Sequence, residues 1–183
     1  MSKLLQKILS AALFPAALII VSKIVGMMLV NTFFNLNWGI QTQTSGLFSV
    51  QVIYENSQNA IICNSYSNLF VIVVLLIGVL ATLFQGTYLH TTHQDPRVLI
   101  KLIHFDFILW LAESDVIFPR LAVWLGFLWV ISHLAIMQAV QGDLYPAIAV
   151  FAFVSSVITT GLGFRDFEKD LRTLLPERGK LSE

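Results

Sequence analysis

The chain has 183 residues, of which 56% are hydrophobic and only 12% are charged, and its mean hydropathy is +0.77. Charged residues make up about a quarter of ordinary soluble domains, so this composition excludes a soluble globular protein. Eleven Lys and Arg balance eleven Asp and Glu, and the zero net charge gives no electrostatic support for a nucleic-acid partner.

Four apolar stretches are long enough to cross the hydrocarbon core of a bilayer as helices, which takes about 20 residues. These stretches are residues 8–34, 69–89, 121–140 and 144–164. They are continuous rather than alternating, which favours helices over a membrane β-barrel. The sequence therefore predicts an all-α integral membrane protein, with a single four-span domain over residues 1–164.

The positions of the cationic residues predict how the spans are oriented. Ten of the eleven Lys and Arg lie in residues 1–7, 90–120 and 165–183, whereas the connections 35–68 and 141–143 contain none. Short cationic loops stay in the cytoplasm. We therefore predict that both termini and the 90–120 connection are cytoplasmic. The sequence does not specify which membrane holds the protein.

The predicted outer connection, residues 35–68, combines strand-forming and turn-forming residues. Two β-prone runs, Leu47–Tyr54 and Ala60–Cys63, flank a turn-rich segment at 55–59. This pattern predicts a small β-hairpin. An isolated hairpin is marginally stable in water, so we expect it to pack on the mouth of the bundle or on another chain.

The predicted cytoplasmic connection, residues 90–120, contains an apolar segment at 98–112. This segment is too short to span a bilayer and carries Lys101, His104 and Asp106, which are costly to bury. We predict a helix at the membrane interface. After the last span, residues 165–183 place apolar side chains at helical spacing among cations, which predicts an amphipathic cytoplasmic tail.

Lys23 is the leading candidate for a functional residue. It lies near the middle of the first predicted span, where a charge costs roughly 2.5–3.5 kcal/mol to insert. His133 lies at a matching depth in the third span. These two residues and the neighbouring serines form a predicted polar layer for binding or partner contact. The serines of this layer are Ser22, Ser132, Ser155 and Ser156.

Lys23 has no counter-charge in the membrane from its own chain, because no Asp or Glu lies within the four predicted spans. Three resolutions stay open at this point. The amine is neutral or solvated, it meets a carboxylate of a partner subunit, or it binds an anion.

A metal site is the other chemistry that the sequence allows. His90 and His93 share a helical face at the end of the second span and could bind one metal ion. The chain has four His and a single Cys, fewer than metal-dependent membrane enzymes usually need. We therefore predict no cofactor, and polar interfacial roles for both histidines.

Three functions follow from these features. The first is a non-enzymatic accessory or assembly subunit of a larger membrane complex, in which a membrane-protein partner supplies a carboxylate near Lys23. The second is a small transporter or channel whose polar layer around Lys23 and His133 handles an anion or a proton. The third is a metal-dependent membrane enzyme using His90 and His93. Enzymatic activity is disfavoured because no nucleophile motif is evident in the sequence.

Overall fold

The computed structural model describes residues 3–42, 50–88 and 114–179. The helices are α1 (Lys3–Phe33), α2 (Ser57–Tyr88), α3 (Ser114–Gln141) and α4 (Pro146–Gly179), and the strands are β1 (Trp38–Thr42) and β2 (Val50–Tyr54). Each helix contains a segment long and apolar enough to cross a membrane. These segments are Leu9–Phe33, Ser57–Gly86, Pro119–Gln141 and Pro146–Arg165. The prediction of a mostly helical, multi-pass membrane protein is confirmed.

The second span begins earlier than predicted. Helix α2 starts at Ser57 rather than at residue 69, so twelve residues assigned to the outer loop are helical. The predicted boundary was based on hydropathy. The polar side chains of Asn64, Ser67 and Asn68 give this segment the low hydropathy of a loop. In the fold these side chains face hydrogen-bond partners inside the bundle, which makes the helix stable there.

The connection between α1 and α2 does contain a two-stranded antiparallel hairpin, but its strands are not the predicted pair. Strand β1 pairs with β2 in a register that sets Trp38 opposite Tyr54 and Thr42 opposite Val50. Strand β2 lies within the predicted run Leu47–Tyr54. The predicted strand Ala60–Cys63 is wrong, because these residues form the second turn of α2, where Cys63 is buried.

The apolar core lies among α2, α3 and α4. Ile72, Leu75 and Val79 of α2 are fully buried against Leu128 of α3 and Ala152 of α4. The remaining surface of the helices is unusually apolar, since only 22–33% of each candidate span is buried within the chain. Such a surface is unfavourable in water and matches the hydrocarbon of a bilayer, where outward-facing apolar side chains meet lipid tails.

The turn between α3 and α4 has a Schellman-type hydrogen-bond pattern. Gly142 has φ +84°, its N–H donates to the carbonyl of Ala139 at 3.2 Å, and the N–H of Asp143 donates to the carbonyl of Gln138 at 2.9 Å. The N–H of Tyr145, just before α4, donates to Ser65 Oγ of α2 at 2.9 Å. The turn is therefore held against the first part of α2.

We expect Gly142→Ala to lower the free energy of unfolding by roughly 1–2 kcal/mol, the cost of a left-handed conformation for a residue with a side chain. A Cβ at this position meets nothing within 4 Å, so the cost comes from the backbone and not from a clash. Gly142→Asn should cost less, because Asn adopts this conformation more readily. Denaturant unfolding in micelles measures both changes, and equal stability of the two variants would contradict the prediction.

Several predicted features lie outside the described residues. They include His90, His93 and the whole interfacial segment 98–112 with Lys101, His104 and Asp106. Most of the predicted tail is described, and it is helical through Gly179 without a break after the last span.

Candidate functional site

Lys23 of α1 is held by three oxygen atoms from one face of α2. Its ammonium donates to Asn64 Oδ1 at 3.0 Å, to Ser67 Oγ at 2.8 Å and to Asn68 Oδ1 at 2.6 Å. An ammonium has three donors, so all of its hydrogen-bonding capacity is used. The three α2 residues follow an i, i+3, i+4 pattern, which places their side chains side by side on a helix.

A second set of hydrogen bonds fixes the orientation of these amides. Gln138 Oε1 of α3 accepts from Asn68 Nδ2 at 2.7 Å and from Asn64 Nδ2 at 3.3 Å. Asn64 Nδ2 also donates to the carbonyl of Asp143 at 3.0 Å. Because both NH₂ groups point towards α3 and the following turn, both Oδ1 atoms point towards Lys23. The network thus connects α1, α2, α3 and the Schellman-type turn.

A pocket of about 440 Å³, with both polar and apolar walls, extends from this network to the protein surface. It lies between α1, α2, the hairpin and the α3–α4 turn. Lys23 forms its half-buried inner part, and Tyr54, Ser57, Gln138 and Asp143 are among its other lining residues. Ser57 and Asp143 are exposed, so the pocket reaches the surface at the end of the bundle that carries the hairpin, hereafter the hairpin end.

The hydrogen bonds of Lys23 leave its charge unneutralised. All three acceptors are uncharged, and across residues 3–42, 50–88 and 114–179 no carboxylate forms an ion pair with this amine. Asp143 lines the same pocket but contacts the network through its backbone carbonyl. The arrangement therefore solvates a cation with neutral dipoles beside an accessible cavity.

His133 does not join this site. Its side chain is exposed on α3, and its Nδ1 lies 2.8 Å from the carbonyl oxygen of Trp129 on the same helix. The ring of Trp129 lies 5.6 Å from that of His133, and Trp129 Nε1 donates to Thr160 Oγ1 of α4 at 3.0 Å. His133 thus belongs to the α3–α4 side of the bundle, away from the α1–α2 contact that holds Lys23.

The serines of the predicted layer are also dispersed. Ser22 Oγ and Ser156 Oγ each donate to a carbonyl of their own helix, at 3.0 and 2.8 Å. Ser155 is half-buried and its carbonyl accepts from Thr159. Ser132 is fully buried, and its hydroxyl has no hydrogen-bond partner within the described part of the chain. The structure does not assemble the predicted layer into one site.

Sequence reasoning missed the residues that do surround Lys23. Asn64, Ser67 and Asn68 lie in the predicted outer connection 35–68, and Gln138 lies near the end of the third predicted span. The signal that could have found them is the i, i+3, i+4 polar stripe immediately before an apolar run. Extending the second helix upstream through this stripe would have supplied a polar face for Lys23.

Comparison with known proteins gives no relative. The chain matches no family model, and no curated protein or solved structure is significantly similar to it. No family is assigned. The function must therefore be inferred from the chemistry of this chain alone.

The described residues contain no group of three or more His, Cys, Asp or Glu side chains that could hold a metal ion. His90 and His93, the predicted metal ligands, lie outside these residues, so their pairing stays a prediction.

Tyr54 forms the hairpin side of the pocket. Its hydroxyl donates to Asn31 Oδ1 of α1 at 3.2 Å. Burial raises the pKa of Tyr54 to about 12, and the nearby Cys63 thiol adds to the increase. The neutral phenol is therefore the form that docks the hairpin on α1.

Docking of the hairpin should depend on pH only in strongly alkaline solution. An unfolded chain has a Tyr pKa of about 10, and the folded value is raised to about 12. The stabilisation is thus complete below pH 10 and is lost as the pH rises through 12. The difference in tyrosinate absorbance between wild type and Tyr54→Phe measures this titration. A midpoint near the unfolded value would contradict the docked geometry.

Proposed function

We propose that this chain is a membrane protein that binds a small organic anion, of the carboxylate class, in the Lys23 pocket. The observation that carries the proposal is a lysine ammonium held by three uncharged oxygens beside a cavity of about 440 Å³ that reaches the surface. Of the functions predicted from the sequence, this one is closest to the small transporter or channel. The polar groups that accompany Lys23 are the amides of α2 rather than His133.

The energetic argument starts from the cost of the cation. Inserting a lysine near the middle of a span costs roughly 2.5–3.5 kcal/mol, and neutral acceptors offset this cost without removing the charge. An anion about 4 Å away gains roughly 4 kcal/mol at an effective dielectric constant of about 20. Lys23 thus provides a strong, localised attraction for a negatively charged group.

The size and lining of the pocket favour a small polar solute over a lipid chain. Small-molecule pockets usually enclose about 300–1,000 Å³, and this one encloses about 440 Å³. The hydroxyl of Ser57 and the amide of Gln141 line it together with Lys23. These two groups can donate hydrogen bonds to the remaining oxygens of a carboxylate-bearing ligand.

The hairpin end is proposed to face away from the cytoplasm, as the distribution of Lys and Arg predicts. Phe33, Phe34 and Trp38 are exposed at this end of the bundle. Aromatic side chains commonly occupy the membrane–water interface, which agrees with a location at the outer surface. The ligand would then enter from the outer side.

The proposal is tested by calorimetric titration of the purified protein in nanodiscs. Acetate, succinate and citrate serve as probes, and acetamide serves as the neutral analogue of acetate. At least one carboxylate should bind saturably. Acetamide should bind at least about tenfold more weakly than acetate, because it lacks the charge that pairs with Lys23. Equal affinity for acetate and acetamide, or no binding of any probe, would reject the proposal.

An accessory subunit is the second candidate, and the unneutralised charge of Lys23 supports it too. A carboxylate side chain of a membrane-protein partner would satisfy the same pocket. Isolation in mild detergent distinguishes the two cases. This candidate predicts co-purifying proteins that Lys23→Ala releases. A stable monomer, or partners that stay bound to the variant, would remove it.

The metal-dependent enzyme proposed from His90 and His93 has a separate test. Elemental analysis of the purified protein showing no metal above background would eliminate it.

A further inference from the structure

A second cavity lies at the opposite end of the bundle from the hairpin. It is a groove of about 460 Å³ between α1, α2 and α3. Its walls are mainly apolar, with Phe14, Pro15 and Leu18 from α1, Ile77 from α2 and Trp124 from α3. Phe14 and Ile77 are 66% and 61% exposed, so the groove opens sideways, towards the surface that faces lipid in a membrane.

One end of this groove is polar and positively charged. Arg120 of α3 and Gln85 of α2 both line it, and Arg120 Nη1 donates to Gln85 Oε1 at 3.4 Å. This contact is long for a hydrogen bond and uses one of the five N–H donors of a guanidinium. Within the described part of the chain, the half-buried guanidinium thus keeps donors for a further acceptor.

The depth of the groove corresponds to one leaflet. Arg120 directly precedes the apolar stretch 121–140, and Gln85 lies near the end of the apolar stretch 69–89. Leu18 lies ten residues beyond residue 8, where the first apolar stretch begins, which is about 15 Å at 1.5 Å per residue. Half of the hydrocarbon core is about 15 Å thick. The groove thus extends from the headgroup level almost to the midplane.

We propose that this groove binds one acyl chain of an anionic phospholipid, with the phosphate held by Arg120 and Gln85. An apolar groove that opens into hydrocarbon is filled by lipid tails, because neither water nor an empty space is favourable there. Arginine recognises phosphate through paired N–H donors. In a zwitterionic lipid the phosphate also interacts with the cationic group of the same lipid, so the arginine favours an anionic lipid. The site is separate from the Lys23 pocket and does not depend on the proposed ligand.

Native mass spectrometry of the full chain from mixed micelles tests this site. The probes are phosphatidylglycerol and phosphatidylcholine with identical acyl chains. Wild type should retain phosphatidylglycerol preferentially, and Arg120→Gln should reduce that retention about tenfold, as expected for the loss of charged hydrogen bonds. Arg165→Gln is the matched control, because Arg165 is exposed at the end of the fourth span and does not line the groove.

Two further variants keep the test decisive. Arg120→Lys retains the charge but loses paired donation, so it should retain an intermediate amount of phosphatidylglycerol. Ala81→Leu fills part of the groove and should reduce retention of both lipids. The proposal is overturned if Arg120→Gln and Arg165→Gln lose lipid equally, or if wild type retains the two lipids equally.

Discussion

Replacing Lys23 by Met is expected to abolish preferential carboxylate binding while the protein stays folded. Affinity should fall by roughly 100-fold or more, because the variant loses a charge–charge attraction of up to about 4 kcal/mol. Met has a similar length and no charge, so it fills the same space beside α2. Calorimetric titration with the carboxylate that binds wild type measures the loss.

Lys23→Met should not lower the stability of the fold, although it weakens ligand binding. Removing the charge relieves an insertion cost of roughly 2.5–3.5 kcal/mol. The α2 amides keep other hydrogen bonds, since Asn64 and Asn68 both donate to Gln138 and Asn68 Nδ2 also lies 3.3 Å from Asn64 Oδ1. We therefore expect the unfolding temperature in micelles to be unchanged or higher.

Lys7→Met is the matched control for this experiment, because Lys7 lies on the same helix sixteen residues before Lys23, which is about 24 Å along the helix axis. It should leave carboxylate affinity unchanged. If Lys23→Met instead unfolds the protein, the amine has a structural role. If it keeps wild-type affinity, the pocket does not use the charge of Lys23.

Gly78→Ala is expected to cause the largest loss of stability among the glycine substitutions. A Cβ at Gly78 would lie within 2.6 Å of three carbons of the Trp124 ring. Trp124 is 5% exposed and packs edge-on against Phe14, with ring centroids 6.2 Å apart. Because a Cβ this close forces the Trp124 ring or the helix backbone to shift, we expect a loss of roughly 1–3 kcal/mol, the usual cost of overpacking a core.

A double-mutant cycle identifies the cause of that loss. Trp124→Leu removes the ring, so Gly78→Ala should cost much less in its presence, and the two changes should be strongly non-additive. Gly126→Ala on α3 is the control, since a Cβ there meets nothing within 4 Å. It should be neutral or stabilising by up to about 1 kcal/mol, because Ala favours a helix more than Gly does. Additive losses at Gly78 and Trp124 would contradict this packing.

The spans were predictable because a membrane imposes a simple requirement on the chain. Backbone groups in hydrocarbon must pair within the segment, so a long apolar run is necessarily a helix there. Each of the four helices accordingly contains a segment long and apolar enough to cross a membrane. The start of α2 was missed because hydropathy does not distinguish a polar loop from a polar helical face that another helix covers.

The pairing of the hairpin strands was also not predictable from hydropathy and local propensity. Strand propensity predicts β2 and favours Ala60–Cys63 as its partner, whereas the actual partner Trp38–Thr42 has no comparable signal. Alternative pairings of short strands differ little in local propensity. The pairing depends on where α1 ends and α2 begins, which is a property of the packed bundle.

The sequence by itself determined that the chain crosses a membrane in four apolar segments and that a lysine lies within the first of them. It predicted a similar depth for Lys23 and His133, since position along a span sets the expected depth of a residue. The tertiary structure alone decided which side chains meet. Successive residues are turned by about 100° around a helix axis, so two residues at one depth can face opposite neighbours. Helix rotation, set by packing, directs Lys23 to the amides of α2 and leaves His133 on the surface of α3.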